Sequence, residues 1–258
     1  MPRRWLVETG ATGAEKERAM REGVRKEEIR RPKPVESPVT IEVDDGIAWV
    51  SLDDGKVNAL STPRLHEIQT ALDQAERADA VVVLRGREGI FQRGLDATIE
   101  MLRAGAQLVL RLLAFPRPVL VVCTGHAYPA GAFLMLAADV RIGLAGDYRI
   151  GLNETAIGIT VPRFAIELTR HRLTPAGFAL LPSASMFGPE EARSLGYLDR
   201  VCAGNRLEAE VRAEAERLRS LDRASFVATK SRVHERAIAA IAEAVEDELR
   251  VDSGASTL

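Results

Sequence analysis

Apolar residues near the start of the chain come in short runs rich in strand-forming residue types. Two such runs are VTIEV (39–43) and IAWVSL (47–52). The turn residues DDG (44–46) join them. Because two β-rich runs linked by turn residues are typical of a hairpin, the segment 39–52 is predicted to form a β-hairpin at the start of the domain.

The spacing of apolar residues becomes helical after this hairpin. Pro63 suits the first turn of a helix, and Ser61 or Thr62 is placed to cap it. The helical spacing continues to about Glu76. The apolar residues that share one face of this predicted helix are Leu65, Ile68, Leu72 and Ala75.

Short apolar strands and helices alternate in the next part of the chain. The runs 80–86, 118–125 and 140–146 each predict a strand, and 130–138 predicts a helix. This alternation, with glycine-rich turns between the elements, favours an α/β layered fold. Beyond Pro162 the chain is predicted to be mostly helical. The helical segments are 189–196, 207–221 and 224–249, with LDRVC (198–202) as a lone strand.

The first 37 residues differ in composition from the rest. Their segment EKERAMREGVRKEEIRRPKP (15–34) is dense in charges of both signs and poor in apolar residues. Such a segment buries too little apolar surface to offset the entropy that ordering costs. We therefore predict that residues 1–37 form a charged arm outside the folded core.

Composition and charge narrow the class of protein. With 258 residues, of which 46% are hydrophobic, the chain can bury one sizeable core. Its 35 Lys and Arg residues nearly balance 37 Asp and Glu residues, giving a net charge of -2. A soluble globular enzyme is therefore the expectation. A nucleic-acid partner is not expected, because the chain has no global basic field.

The cysteines and the longest apolar runs bear on metal binding and location. Cys123 and Cys202 lie far apart and lack the spacing of metal ligands, so we expect buried packing residues, no structural metal and a reducing cytoplasm. No apolar run approaches the roughly 20 residues that span a bilayer, and the N-terminus lacks the apolar core of a signal peptide. No membrane association is expected.

Two glycine-containing turns are candidates for anion binding. The turn Gly94-Leu95-Asp96 precedes a predicted helix, and Pro129 precedes another that begins with Ala130-Gly131. Backbone N–H groups in the first turn of a helix lack intrahelical partners and can bind an anion. Together the two turns are candidates for an oxyanion hole. Each is also compatible with a plain connection between two elements, as glycine turns before helices often are.

A carboxylate in an apolar segment is the third candidate. In YRIGLNETAIGI (148–159), Glu154 is flanked by Gly151 and Gly158. Desolvation among these apolar residues would raise the pKa of Glu154 toward that of a useful base. A helix-entry or surface carboxylate is the alternative, and position in the sequence leaves both open.

Five segments in order resemble the successive motifs of the crotonase, or enoyl-CoA hydratase/isomerase, superfamily. The resemblance runs from about Val39 to the C-terminus. It implies a spiral of ββα turns in residues 38–198 and a helical trimerisation region in 199–258. The segments are KVNALS (56–61), IFQRGLD (90–96), PRPVLVVCTGHAYPAGAFLMLAADVRIG (116–143), YRIGLNETAIGI (148–159) and EEARSLGYLDRV (190–201).

The resemblance also implies a chemistry. The chain is expected to act on acyl-CoA thioesters through an enolate in fatty-acid metabolism, with no cofactor beyond the CoA of its substrate. The backbone N–H groups of Leu95 and Ala130 correspond to the two donors that hold the thioester oxygen, and Glu154 corresponds to the catalytic glutamate, which acts as both general base and general acid. A homotrimer or dimer of trimers is expected. The residues expected to contact substrate or CoA are Lys56, Asn58, Ala59, Arg93, Asp96, Gly131 and Phe133.

Departures from the family pattern bear on the reaction. Hydratases of the family use two glutamates; here the first falls on Phe133 and the second on Glu154 or, with a shift of one residue, Asn153. The segment IGLNET instead resembles monofunctional 3-enoyl to 2-enoyl-CoA isomerases, in which one glutamate shuttles a proton. An isomerase is therefore predicted. The alternatives are a hydratase or related lyase, or a catalytically weak acyl-CoA-binding protein if Arg93 and Phe133 block the acyl tunnel.

Other residues are weaker candidates. Pro129-Ala130 replaces the usual glycine pair, and Arg93 replaces a small residue, so either change can narrow the pocket or displace a donor. Asp96 is interpreted as a helix cap rather than a catalytic residue. The cations that are candidates to contact phosphates are Arg93, Arg163 and Lys230, whereas His126 and His171 are interpreted as structural.

Overall fold

The computed structural model describes residues 37–93 and 98–250, which contain ten β-strands and eight α-helices. The strands are β1 (Val39–Asp44), β2 (Ile47–Leu52), β3 (Val81–Gly86), β4 (Gly89–Arg93), β5 (Val119–Cys123), β6 (Gly125–Tyr128), β7 (Val140–Leu144), β8 (Ile150–Gly151), β9 (Met186–Phe187) and β10 (Arg200–Cys202). The helices are α1 (Thr62–Arg77), α2 (Ile99–Ala114), α3 (Ala130–Leu136), α4 (Arg163–Arg172), α5 (Pro175–Ala179), α6 (Pro189–Leu195), α7 (Gly204–Arg219) and α8 (Arg223–Glu248).

The strands form two sheets. The larger has the order β1-β2-β3-β5-β7-β10; its first pair is antiparallel and its other pairs are parallel. The smaller has the order β4-β6-β8-β9, with β4, β6 and β8 parallel and β9 antiparallel to β8. The predicted hairpin is confirmed, with Val39 paired to Leu52 and Asp44 to Ile47.

The chain repeats one unit as it winds from sheet to sheet. A strand of the larger sheet leads to a strand of the smaller sheet and then to a helix: β3, β4 and α2, followed by β5, β6 and α3. In the third unit, β7 and β8 lead to a short 3₁₀ turn and α4. The predicted α/β fold and the spiral of ββα turns are both confirmed. The unit places a strand-to-helix junction of each turn at one edge of the smaller sheet.

Both faces of the larger sheet are covered, which explains its near-continuous apolar strands. On β3, Val82 and Leu84 join the main core, whereas Val81 and Val83 face a second cluster with Trp49. Side chains of α7, including Val211 and Leu218, cover this second cluster. Alternating strand residues point to opposite faces, and a parallel sheet covered on both faces requires apolar residues at both sets of positions.

Two element predictions are corrected by the structure. Helix α2 begins at Ile99 with Thr98 as its N-cap, because the Thr98 hydroxyl accepts a hydrogen bond from the Met101 N–H at 3.2 Å. Asp96 is therefore not the N-cap of this helix. The strand predicted to be lone, β10, pairs in parallel with β7 and forms an edge of the larger sheet.

The long C-terminal helix α8 is attached to the core by a buried ion pair. Lys230 is only 6% exposed, and its Nζ donates to Asp139 Oδ2 at 2.7 Å. The same oxygen accepts a hydrogen bond from the Val119 N–H at 2.8 Å, which links the pair to the start of β5. Since its ammonium is buried and paired, Lys230 is not available to a phosphate, and that prediction is wrong.

The cysteines take the packing role predicted for them. Cys123 and Cys202 are both buried and free. Burial raises the pKa of the Cys123 thiol to about 12. Across the described ranges, no helix is both long and apolar enough to span a bilayer. The predicted arm, residues 1–37, lies outside the described residues except for Ser37.

Candidate active site

Three parallel strands of the smaller sheet end at one edge. Strand β4 ends at Arg93, β6 at Tyr128 and β8 at Gly151. Carboxyl ends of parallel strands lie side by side, and ligands of α/β proteins commonly bind in the crevice beyond them. Helix α3 starts directly after β6, and the 3₁₀ turn follows β8. These junctions place Arg93, the start of α3 and Glu154 around one cavity.

Glycine occupies the two positions that flank Glu154 for different structural reasons. The 3₁₀ turn Glu154–Ile157 ends at Gly158, whose φ of 77° lies in the left-handed region that glycine adopts without strain. The Ile159 N–H then donates to the Glu154 carbonyl at 3.0 Å and closes the turn. At Gly151, an added Cβ would lie 2.9 Å from the Ser185 carbonyl oxygen. Glycine at both ends thus allows a tight turn that begins with Glu154.

The carboxylate of Glu154 is buried without a partner. The residue is only 3% exposed, and neither Oε1 nor Oε2 has a hydrogen-bond partner in the described structure. Burial raises the pKa of Glu154 to about 7. Nearby, Tyr197 is fully buried; burial, and then the charge of Glu154, raise the pKa of the phenol well above its usual range. The prediction of a desolvated carboxylate is confirmed.

A cavity of about 270 Å³ opens onto Glu154. Among the residues that the structure describes around it, Glu154 is the sole carboxylate. An unpartnered carboxylate at such a cavity is placed to exchange a proton with a bound molecule. The described lining consists of Arg93, Leu102, Tyr128, Pro129, Phe133, Asn153, Glu154, Ile157, Ile159 and Pro162.

Phe133 contributes an aromatic wall to this cavity. It lies on α3, is 6% exposed, and packs against Phe164 of α4 with ring centroids 5.7 Å apart and an interplanar angle of 65°. An edge-on pair of this kind is a favourable aromatic contact. The ring offers no group that can hold or deprotonate water.

Arg93 and Tyr128 form the cationic side of the cavity. The guanidinium carbon of Arg93 lies 5.3 Å from the centroid of the Tyr128 ring, within the range of a cation–π contact. The Arg93 backbone N–H donates to the Val57 carbonyl at 2.9 Å, which joins the end of β4 to the loop before α1. The cation of Arg93 therefore lies beside the cavity.

The start of α3 packs tightly against β4. Pro129 has helical backbone angles, and Ala130 and Gly131 follow in the first turn, where N–H groups have no intrahelical acceptor. Both residues are buried. A Cβ added to Gly131 would lie 3.0 Å from the Gln92 carbonyl oxygen, so glycine permits this close approach. The second predicted donor, Leu95, lies outside the described residues, as does Asp96.

The remaining candidates near the cavity belong to the loop after β2. The Asn58 amide is buried and donates to the carbonyls of Leu52 at 2.8 Å and Phe91 at 3.2 Å. Its side chain therefore holds the loop against the ends of two strands. Lys56 and Ala59, on either side of it, are exposed.

The other predicted residues lie away from Glu154. Arg163 is exposed at the start of α4, 3.8 Å from Asp247. His126 Nδ1 accepts a hydrogen bond from the Arg149 N–H at 3.0 Å. His171 Nε2 lies 2.8 Å from Nδ1 of His234, and burial lowers the pKa of His171 to about 4. These partners agree with the structural roles predicted for His126 and His171.

Sequence reasoning missed several residues of the site. Tyr128 stood in a quoted motif, and its position just before Pro129 at a strand end was a usable signal. Leu102 and Tyr197 join the site from α2 and from the loop after α6, and no local pattern marks them. Within the described ranges, no group of three or more His, Cys, Asp or Glu side chains is arranged to hold a metal ion.

Known proteins share this fold and its motifs. A family model described as enoyl-CoA hydratase/isomerase matches residues 42–255. The structure of an enoyl-CoA hydratase/isomerase family protein from Pseudomonas syringae superposes with a TM-score of 0.80 at 37% identity, covering 82% of this chain and 96% of that one. The fold and cavity define an α/β enzyme of the crotonase type. The chain belongs to the enoyl-CoA hydratase/isomerase family.

The names of other relatives are divided between two activities. A probable enoyl-CoA hydratase of Bacillus subtilis is 30% identical over 195 residues, which cover 70% of this chain and 74% of that protein. An enoyl-CoA isomerase of Mycobacterium tuberculosis has a TM-score of 0.78 at 35% identity, covering 81% of this chain and 96% of that one. Hydratase names are the more numerous. The chain is thus an enzyme of this family, and the names leave its reaction open.

Proposed function

We propose that this protein is a 3-enoyl to 2-enoyl-CoA isomerase with Glu154 as its single proton shuttle. The observation that supports this most strongly is the buried, unpartnered carboxylate of Glu154 at a cavity whose other described lining residues include no carboxylate. A proton shuttle needs one group that accepts and then donates. A pKa of about 7 suits both steps near neutral pH.

In the proposed reaction the substrate supplies the proton that Glu154 carries. The Glu154 carboxylate takes a proton from the α-carbon of a 3-enoyl thioester, and the electron pair is delocalised over the dienolate. The Ala130 N–H, with Leu95 as the second donor implied by the family motif, would stabilise the negative thioester oxygen. Glu154 then returns the proton to the γ-carbon, which yields the 2-enoyl thioester and regenerates the carboxylate.

A hydratase is the second candidate, and Asn153 is the observation in its favour. Asn153 lines the same cavity, and its Oδ1 is buried without a hydrogen-bond partner. That oxygen is available to accept a hydrogen bond from a water that Glu154 would deprotonate. Phe133 stands where the family pattern has the other water-holding glutamate, so we rank hydration below isomerisation.

The pH dependence of turnover follows from the raised pKa of Glu154. The carboxylate must be ionised to accept the α-proton, so kcat/KM is expected to fall about tenfold per pH unit below a pKa near 7. A stopped assay of 3-enoyl-CoA isomerisation across this range measures it. If the fall of kcat/KM instead began only near the usual pKa of glutamate, this result would contradict a desolvated base.

We also propose that the chain assembles into a trimer or a dimer of trimers. Helix α8 exposes apolar residues, among them Val227 and Val233, the latter 59% exposed. This exposed apolar surface, together with the trimeric assembly that the family motifs imply, supports the proposal. Light scattering at micromolar concentration is expected to give a mass of three or six chains, and a stable monomer would contradict the proposal.

A further inference from the structure

A second, smaller cavity adjoins the one that contains Glu154. Its volume is about 20 Å³, and every side chain described around it is apolar. An apolar lining of this kind favours a hydrocarbon group over water. Two residues, Leu102 and Phe133, line both this inner cavity and the outer one of about 270 Å³. These two side chains therefore form the wall between them.

The Phe133 part of this wall is held in place from two sides. Its backbone N–H donates to the Pro129 carbonyl at 3.2 Å in the first turn of α3. Its ring packs edge-on against Phe164, which lines the inner cavity but not the outer one. Since the ring is also 6% exposed, an acyl chain that enters beside Glu154 meets a fixed barrier.

The size of the inner cavity indicates what lies beyond this barrier. A volume of about 20 Å³ is comparable to the space that one water-sized group needs. The wall thus separates the cavity beside Glu154 from a further small apolar space. Among the described residues, the Phe133 ring lies between an acyl group in the outer cavity and this apolar space.

We propose that Phe133 sets the acyl chain length and restricts this enzyme to short-chain thioesters, with the inner cavity as an extension for longer tails that the ring separates from the outer cavity. This inference rests on the proposed function, because it assumes that the acyl group lies in the cavity beside Glu154. Removing the ring would join the two cavities, so that the tail of a longer thioester becomes buried.

Binding of two saturated thioesters, butanoyl-CoA and decanoyl-CoA, tests the proposal without requiring turnover. By titration calorimetry, the natural protein is expected to bind butanoyl-CoA at least as tightly as decanoyl-CoA. In Phe133→Ala the affinity for decanoyl-CoA relative to butanoyl-CoA is expected to rise roughly tenfold, as burial of about two further methylenes would give. Phe133→Leu, which retains more packing, is expected to shift the ratio in the same direction by a smaller factor.

Phe115→Leu is the matched control, because Phe115 is a buried phenylalanine that lines neither cavity, so the same change is made away from the wall. In this variant the affinity for decanoyl-CoA relative to butanoyl-CoA is expected to stay within about twofold of the ratio in the natural protein. Circular dichroism establishes which variants are folded. If Phe133→Ala is not folded, Phe133→Leu alone tests the proposal. A folded Phe133→Leu with an unchanged ratio, or a natural protein that prefers decanoyl-CoA, would overturn the proposal.

The same titrations separate this proposal from the proposed function. Tight binding of butanoyl-CoA by a natural protein that fails to isomerise 3-hexenoyl-CoA would overturn the isomerase assignment and leave the role of Phe133 standing. Binding of neither thioester would overturn both. Isomerase turnover with no shift of the binding ratio in the Phe133 variants would overturn the chain-length proposal alone.

Discussion

Glu154→Gln is expected to lower isomerase turnover by roughly 10²–10⁴, the usual contribution of a positioned general base. The amide has nearly the same shape as the carboxylate but cannot accept the α-proton. Affinity for a saturated acyl-CoA is expected to change little, because the cavity keeps its lining. Steady-state kinetics with a 3-enoyl-CoA and calorimetry with butanoyl-CoA measure the two effects. Glu191→Gln makes the same carboxylate-to-amide change at an exposed residue of α6. It is the matched control and is expected to leave turnover unchanged.

The same variant, Glu154→Gln, is expected to be more stable than the natural protein above pH 7. The folded-state pKa of about 7 lies above the ordinary glutamate value of 4.5, so the folded state binds more protons between these values. The stability of the natural protein therefore falls as pH rises through this range, whereas the neutral amide of the variant has no such dependence. Urea unfolding above pH 7 is expected to show a gain of about 1–3 kcal/mol. A destabilised variant would contradict a desolvated carboxylate.

Lys230→Met is expected to lower the free energy of unfolding by about 3–5 kcal/mol, because it leaves Asp139 buried without its charge partner. Hydrogen bonds and the Lys230 charge keep the pKa of Asp139 below its usual value despite burial. The methionine fills much of the space but supplies no donor. Urea denaturation followed by circular dichroism measures the loss.

A double variant separates the lost ion pair from lost packing. Adding Asp139→Asn to Lys230→Met removes the unpaired charge and keeps an oxygen for the Val119 N–H, so at least half of the stability is expected to return. Arg193→Met, which breaks the exposed pair with Glu190, is the control and is expected to cost less than about 1 kcal/mol. A loss below about 1 kcal/mol in Lys230→Met would mean that this ion pair does not anchor α8.

The elements that the sequence predicted well are those whose signal is local. The hairpin 39–52 was predicted from two β-rich runs and a turn. Helix α1 was predicted from apolar residues at helical spacing, and these apolar residues are all buried. The N-cap of α2 was not identified from the sequence; in the structure it is Thr98, whose hydroxyl accepts a hydrogen bond from the Met101 N–H. The pairing of β10 with β7 joins residues about 58 positions apart, for which no local pattern exists.

The candidate site was predictable in its chemistry but not in its shape. The apolar neighbours of Glu154 made a desolvated carboxylate one of two open alternatives, and the aromatic replacement at Phe133 followed from the family motif. The wall that Phe133 shares with Leu102 could not be predicted, since it depends on how α2 packs against α3. The same holds for Lys230: its burial depends on Asp139, 91 positions away in the chain. Sequence patterns give residue types, and tertiary packing decides which of them meet.

The central claim is that one carboxylate carries a proton between two carbons without a second carboxylate to activate water. The most direct measurement compares, on the natural protein under the same conditions, kcat/KM for isomerisation of 3-hexenoyl-CoA and for hydration of 2-hexenoyl-CoA. The account predicts that isomerisation is faster by about 10² or more, since Phe133 replaces one of two water-activating groups. Hydration that equals or exceeds isomerisation would contradict it.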